Sequence, residues 1–168
     1  RLFGPLGMTD TTYWPSASQL ARLAKSYRPN AAKDNLAVFD IPFLGYPLDG
    51  RTARFAMPAG GLFATADDVG RFCRLLLNRG EFEGKRILSE TAVAEMTKRQ
   101  TPADLKENWG IGFTRGDEWF GHGGAHATNM EIHPGRGLAV VWMVQHGGFV
   151  GNGGQAQGQF KAWAAKTV

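Results

Sequence analysis

Residues 109–146 read WGIGFTRGDEWFGHGGAHATNMEIHPGRGLAVVWMVQH. Four short runs, Trp109 to Arg115, Glu118 to Gly121, Ala127 to His133 and Leu138 to His146, are rich in aromatic and β-branched residues. Gly116-Asp117, Gly123-Gly124 and Pro134-Gly135-Arg136-Gly137 divide them. Short strands parted by turn residues at such spacings predict an antiparallel meander. After it, Gly147 to Gly154 reads as a glycine-rich loop. Gln155 to Lys166 then reads as a closing helix with Phe160, Trp163 and Ala164 on one face.

Ahead of the meander the pattern is helical. Thr65 is a good N-cap for a helix with Asp67 and Asp68 in its first turn, where the helix dipole favours negative charge. Val69, Phe72, Cys73 and Leu76 come at i, i+3, i+4, i+7 and give one apolar face, and Asn78-Arg79-Gly80 reads as the end. Ser89 starts a second helix that reaches about Gln100. Ser16 or Ser18 caps an earlier one, expected over about Gln19 to Tyr27. From Ala31 to Met57, Pro, Gly and Asp break every period, which predicts a long loop with a short strand near Val38 to Ile41. Helices, then meander, then a terminal helix make an α+β fold: an antiparallel β-meander packed with helices.

The 168 residues suit one domain, 1–168, with a helical and loop part over about 1–105 and the sheet and last helix over about 106–168. With 43% hydrophobic and 20% charged residues the chain is globular rather than disordered. Its net charge of +4 comes from interspersed signs, which argues against a nucleic-acid partner. No apolar run approaches the roughly 20 residues of a membrane span. Cys73 is the single cysteine, so neither an internal disulfide nor a cysteine-based zinc site forms. Arg1 is not an initiator Met, and Arg1-Leu2-Phe3-Gly4-Pro5 has none of the layout of a signal peptide. The chain is therefore expected to begin inside a larger protein.

No serine has the setting of a recognisable nucleophile. The four serines are Ser16, Ser18, Ser26 and Ser89; none has Lys three residues on, and none sits in a Gly-x-Ser-x-Gly elbow. Ser16, Ser18 and Ser89 read as helix caps, and Cys73 reads as a buried apolar residue. His122 and His126 are four apart, but Gly123-Gly124 between them opposes a helix, and a metal site with His133 is a minor reading. His133 and His146 read as strand or surface residues. The glycines at 147–154 lack the pattern of a phosphate cradle. There remains Gly121-His122-Gly123-Gly124-Ala125, where glycines let a ligand approach the backbone and the Ala125 N–H could face a cleft as an oxyanion donor. A plain tight turn fits the same residues equally well.

Several segments together resemble the serine β-lactamase-like hydrolases, a group that includes class C β-lactamases, D-alanyl-D-alanine carboxypeptidases and β-lactamase-fold esterases. They are Pro5-Leu6-Gly7-Met8-Thr9-Asp10-Thr11, Pro58-Ala59-Gly60-Gly61-Leu62-Phe63-Ala64-Thr65-Ala66-Asp67-Asp68, Leu75-Leu76-Leu77-Asn78-Arg79-Gly80 with Gly84-Lys85-Arg86-Ile87-Leu88-Ser89, and Gly121-His122-Gly123-Gly124 with Asn129-Met130-Glu131-Ile132-His133-Pro134. The resemblance runs over about residues 2–165 in the family's order. It implies the C-terminal part of a β-lactamase/transpeptidase-like fold, with the third catalytic motif, Lys-Thr-Gly or His-x-Gly, at His122, Gly123 and Gly124. By that resemblance His122 takes the basic position and faces the substrate carboxylate or the catalytic hydrogen-bond network. Gly124 lies at the constricted backbone, and the Ala125 N–H is one oxyanion donor. Gly123 stands where β-lactamases have Thr, which leans towards esterase or peptidase-like relatives.

The family's Ser-x-x-Lys and Tyr-x-Asn motifs precede the first of these segments and are not in this chain; Tyr27-Arg28-Pro29-Asn30 has the wrong spacing. The resemblance therefore implies the C-terminal half of a hydrolase of amides or esters, inert alone. Its partners would be a small-molecule or peptide acyl substrate and the missing N-terminal half. No cofactor or metal is implied, and a periplasmic or extracellular location rests on the resemblance only. The rival reading is a non-catalytic module that binds cell-wall peptide or another protein on its exposed sheet.

Overall fold

The computed structural model describes residues 1–45, 47–52 and 54–167. In chain order the elements are α1 (Phe3–Leu6), α2 (Ala17–Leu20), β1 (Tyr27–Pro29), β2 (Leu36–Val38), α3 (Ala66–Leu77), β3 (Glu81–Phe82), β4 (Lys85–Arg86), α4 (Glu90–Thr97), β5 (Thr114–Arg115), β6 (Phe120–Gly123), β7 (Asn129–His133), β8 (Leu138–Trp142) and α5 (Ala156–Ala164), with short 3₁₀ turns at Pro42–Leu44, Pro134–Arg136 and Gly153–Gln155. β5, β6, β7 and β8 form the expected antiparallel meander in that order. Phe120 pairs with Ile132, His122 with Met130, and Ile132 with Ala139. The α+β architecture predicted from the pattern is present.

Alternation along the strands sends Phe120 and Ile132 inward, where they meet Cys73 and Leu76 of α3, Val93 of α4, and Phe113. The Phe113 and Phe120 rings meet edge to face at 5.4 Å. Leu75 points to the other side of α3 and packs with Leu6, Met8 and Phe82. The leucine run at 75–77 is thus explained by a helix buried on two sides. Burying each Leu or Ile side chain contributes about 1.5–3 kcal/mol. The caps fall where expected: Thr65 Oγ1 accepts from the Asp68 N–H at 3.2 Å, and Ser89 Oγ from the Ala92 N–H at 3.1 Å. At Gly80 (φ +92°) a Cβ would stand 2.2 Å from the Leu88 carbonyl oxygen, so the return from α3 into the β3–β4 hairpin needs glycine.

Elsewhere tertiary pairing overrides local pattern. The helix expected over Gln19 to Tyr27 spans only Ala17–Leu20. Ser16 makes a capping box with Gln19, and Ser18 Oγ lies 3.0 Å from Ser16 Oγ instead of capping. Tyr27 belongs to β1, because its N–H donates to the Gln145 carbonyl at 3.1 Å while its own carbonyl accepts from Gly147 N–H at 2.6 Å. The loop from Ala31 contains β2, two residues earlier than expected and paired with β1. The run from Trp109 to Arg115 is a strand only at its end: Ile111 N–H donates to the Met96 carbonyl, and Gly110 is pressed against the end of α4. β6 extends to Gly123, so His122 lies within a strand. β8 stops at Trp142, and beyond it His146 forms an isolated bridge to Tyr27. On α5, Phe160 packs on Trp142 and Ala164 is buried, but Trp163 is 63% exposed and does not share their buried face.

Candidate functional site

The C-terminal end of β6 opens onto a cleft of about 530 Å³, within the usual range for small-molecule sites. One wall is the turn after β6, with His122, Gly123, Gly124 and Ala125, continued by Thr128 and Asn129 of the returning chain. Facing segments supply Asp10, Thr12, Gln19 and Arg22, and residues 58–60 and 62–65 of the run that leads into α3. Most remaining lining residues are apolar, among them Leu23, Ile41, Leu44, Met143 and Val144.

The turn is held by two backbone bonds. Gly124 N–H donates to the Thr128 carbonyl at 2.7 Å, and Ala127 N–H to the Gly124 carbonyl at 3.1 Å, with Ala127 itself at φ +67°. Ala125 between them is exposed, and among the described residues no acceptor takes its N–H. An open backbone donor beside a cleft is what oxyanion stabilisation requires. His122 is exposed, and its ring lies 5.6 Å from that of Trp109 at an interplanar angle of 54°. At Gly123 an added Cβ would meet only Asn129 Nδ2, at an ordinary 3.5 Å, and the Thr128 carbonyl at 3.8 Å.

The opposite wall is anchored to α3. Asp68, buried in the first turn, accepts through Oδ2 from Asp10 N–H at 2.9 Å and from the Thr11 hydroxyl at 2.8 Å. Asp10 in turn accepts through Oδ1 from Arg22 Nη2 at 2.6 Å and Gln19 Nε2 at 3.2 Å. The Arg22 hydrogen bond, then that of Gln19, holds the Asp10 carboxyl below the usual carboxylate range. Arg54 is buried, and among the described residues none of its hydrogen-bond partners is a carboxylate. Its Nε donates to the Leu44 carbonyl at 2.5 Å, and Nη1 to those of Tyr13 at 2.6 Å and Leu48 at 2.5 Å. Nη2 reaches Gly61 at 3.4 Å, and Phe63 lies under the guanidinium at 5.1 Å. One side chain thereby ties Tyr13, the loop at Leu44 and Leu48, and Gly61 together.

His122 and His126 both line the cleft, but His133 does not. It faces Glu131 Oε2 at 3.5 Å, a carboxylate that also pairs with Lys161 of α5. His146 stacks on Phe149 at 3.7 Å and accepts from Gly148 N–H at Nδ1, and burial lowers its pKa. Cys73 is buried, and desolvation pushes its thiol up to about 12. None of the four serines lines the cleft. Local pattern reveals the turn but not the opposite wall. Thr9-Asp10-Thr11 reads only as a polar turn, and no local signal sets Arg22 or Arg54 apart from surface arginines.

The family model described as Beta-lactamase matches residues 1–158. An uncharacterised protein of Mycobacterium tuberculosis is 32% identical over 174 residues, covering 87% of this chain and 42% of that protein. Penicillin-binding protein 4 of Amycolatopsis lactamdurans is 29% identical over 161 residues, covering 88% and 40%. The chain thus spans 40–42% of the length of these curated relatives. Among solved structures, EstCE1, a hydrolase with promiscuous acyltransferase activity, superposes with a TM-score of 0.70 at 16% identity, over 97% of this chain and 48% of that one. That is a likeness of fold.

Proposed function

Since the chain belongs to the beta-lactamase family of serine hydrolase-like proteins, we propose that it is the C-terminal portion of an acyl-transferring hydrolase, supplying the β6 wall and one oxyanion donor to a nucleophile carried by preceding chain. In this reading the upstream serine oxygen attacks an ester or amide carbonyl, and its proton passes to the upstream base. The Ala125 N–H hydrogen-bonds the oxygen that becomes negative, and collapse expels the alcohol or amine with that proton. Water then repeats the attack on the acyl-serine and releases the acid. His122, exposed at the end of the same strand, donates to the substrate or to the upstream catalytic groups. Gly123 and Gly124 let the substrate lie along the strand.

The observation that carries this reading is the Ala125 N–H, without an acceptor among the described residues, on a residue that lines the same cleft as His122. The mainly apolar lining and the absence of a Thr hydroxyl at Gly123 favour ester-like acyl groups. The likeness to EstCE1, a hydrolase, and to a penicillin-binding protein supports the same chemistry. With no serine of its own on the cleft, the isolated chain is inert. The test is hydrolysis of a short-chain nitrophenyl ester and a chromogenic cephalosporin, by this chain alone and joined to preceding chain bearing Ser-x-x-Lys and Tyr-x-Asn. Turnover only in the joined protein supports the reading. Turnover by the isolated chain that is lost on changing one of its own serines overturns it. Binding of cell-wall peptide with no turnover in either form would mean a binding module.

A further inference from the structure

Trp109 touches His122 but is not among the residues that line the cleft. The two ring centroids are 5.6 Å apart with their planes at 54°, inside the range of attractive aromatic pairs. Sheet register brings them together: Trp109 bridges to Thr114, and Thr114 pairs with Gly121, the residue before His122. The indole is half-buried and its backbone is tied on both sides. Trp109 N–H donates to Thr101 Oγ1 at 3.3 Å, and its carbonyl accepts from Gln100 N–H at 2.6 Å. The chain between these residues is drawn round Arg99. Its Nε donates to the Thr101 carbonyl at 3.0 Å, and its Nη2 to those of Pro102 and Leu105, each at 2.7 Å. Nη2 also reaches the Glu107 carbonyl at 3.4 Å, which accepts from the Thr101 hydroxyl at 2.6 Å. A planar guanidinium with several donors thus orders the loop that ends on the indole.

From this arrangement we propose that Trp109 is a positioning residue that holds the His122 imidazole in one rotamer on the cleft, with Arg99 fixing the loop that carries the indole. The proposal rests on the reading of His122 as a donor in acyl transfer. An exposed imidazole on a strand end otherwise exchanges among staggered χ1 wells, and a misplacement of about 1 Å is enough to slow a chemical step. Packing against an aromatic wall restricts the ring without occupying either nitrogen, so both stay available for hydrogen bonds. Support of this kind, from a side chain that is itself locked, is what a precise site needs.

The first arm of the test uses the chain as it is and reads the three-bond couplings about His122 χ1 by NMR. The unchanged chain should give single-rotamer couplings, and Trp109→Leu should give averaged ones. Trp109→Phe should restore the single rotamer, and Trp163→Leu, an exposed site on α5, should leave it untouched. Arg99→Met keeps the indole but unties its loop, so it should average the couplings in part while the sheet amides stay in place. That variant decides the matter should Trp109→Leu not fold. The second arm uses the protein joined to preceding chain. There Trp109→Leu should lower kcat about threefold to tenfold, the scale of one aromatic pair, with KM near its starting value and most of the loss recovered by Trp109→Phe. Averaged couplings in the unchanged chain, or couplings indifferent to these variants, would overturn the proposal. So would an unchanged kcat, a loss carried by KM, or a loss that phenylalanine does not recover. Couplings that follow Trp109 in a chain whose joined form has no turnover would instead sink the hydrolase reading alone.

Discussion

Gly124 and Thr128 stand so close that a Cβ on Gly124 would lie 2.2 Å from the Thr128 hydroxyl oxygen. The glycine is required by the turn itself, whose Gly124 N–H bonds the Thr128 carbonyl, as well as by anything that passes along the strand. Gly124→Ala should cost about 1–3 kcal/mol, the scale of overpacking one methyl group. Thr128→Ala in the same chain should recover most of that loss, because the clash is with the hydroxyl. Urea unfolding of the two single variants and the double one measures the coupling. Simple additivity would show that the two residues do not contend for the same space.

Arg54 gives a second stability prediction. Its carbonyl partners come from Tyr13, Leu44, Leu48 and Gly61, and a lysine ammonium, a single compact centre, cannot reproduce that fan of donors. Removing the side chain strands buried carbonyls at roughly 1–3 kcal/mol for an unsatisfied group. Arg54→Met and Arg54→Lys should both lower the melting temperature, and hydrogen exchange should quicken over residues 41–63 before it does in the sheet. Unchanged exchange in that segment would remove Arg54 from its role as the clamp of the loop.

Cys73 predicts behaviour at high pH. With its thiol pushed up to about 12 in the folded chain and near 8.5 when unfolded, the native state binds the extra proton between those values. Stability from this group is complete below about pH 8.5 and declines as pH rises towards 12. At pH 8 iodoacetamide should leave the native thiol unmodified and label it rapidly in urea. Fast labelling of the folded chain would contradict the burial of Cys73 against Met130 and the core.

His146 works in the opposite direction. Burial lowers its pKa, and its Nδ1 accepts the Gly148 N–H, a bond open only to the uncharged ring. The unfolded state binds more protons below about pH 6.5, so stability is full above that value and falls as pH drops through it. His146→Phe keeps the stacking surface on Phe149 and removes the titration. The slope of unfolding free energy between pH 6.5 and 5 should flatten in this variant, as measured by urea midpoints at fixed ionic strength.

These residues also show what local pattern can and cannot reveal. Thr65 and Ser89 cap the helices that their positions predict, because a cap is a contact between residues three apart in sequence. The meander is legible because a turn of Gly, Pro and Asp residues is also a local event. Tyr27 is not: Leu20, Leu23 and Ala24 carry a helical spacing up to it, yet pairing with Val38 and with residues 145–147, more than 100 positions away, decides its state. Arg22, Arg54 and Asp68 are illegible for the same reason. Asp68 satisfies a helix-dipole rule on its own element, and nothing nearby in sequence shows that it also holds Asp10 and Thr11. Of the candidate site, the wall built by one turn is readable, and the wall assembled from distant segments is not.

The last prediction concerns His122, with His133 as its control. Both are strand histidines, but His122 is exposed on the cleft beside Trp109, whereas His133 turns to Glu131 away from it. In the joined hydrolase proposed above, His122→Ala should lower kcat/KM by roughly tenfold to a thousandfold, the range for losing one acid–base or electrostatic contributor. His133→Ala should leave kcat/KM near its starting value while lowering stability slightly, since it removes a contact to the Glu131–Lys161 pair. His126 lines the same cleft and decides the alternative. If His126→Ala loses turnover while His122→Ala keeps it, the motif belongs four residues later and the role given to the end of β6 is wrong. Melting curves of all three variants separate these outcomes from damage to the fold. A loss of kcat/KM in His122→Ala at an unchanged melting temperature places the effect in the cleft, because an exposed ring contributes little to the core it stands beside.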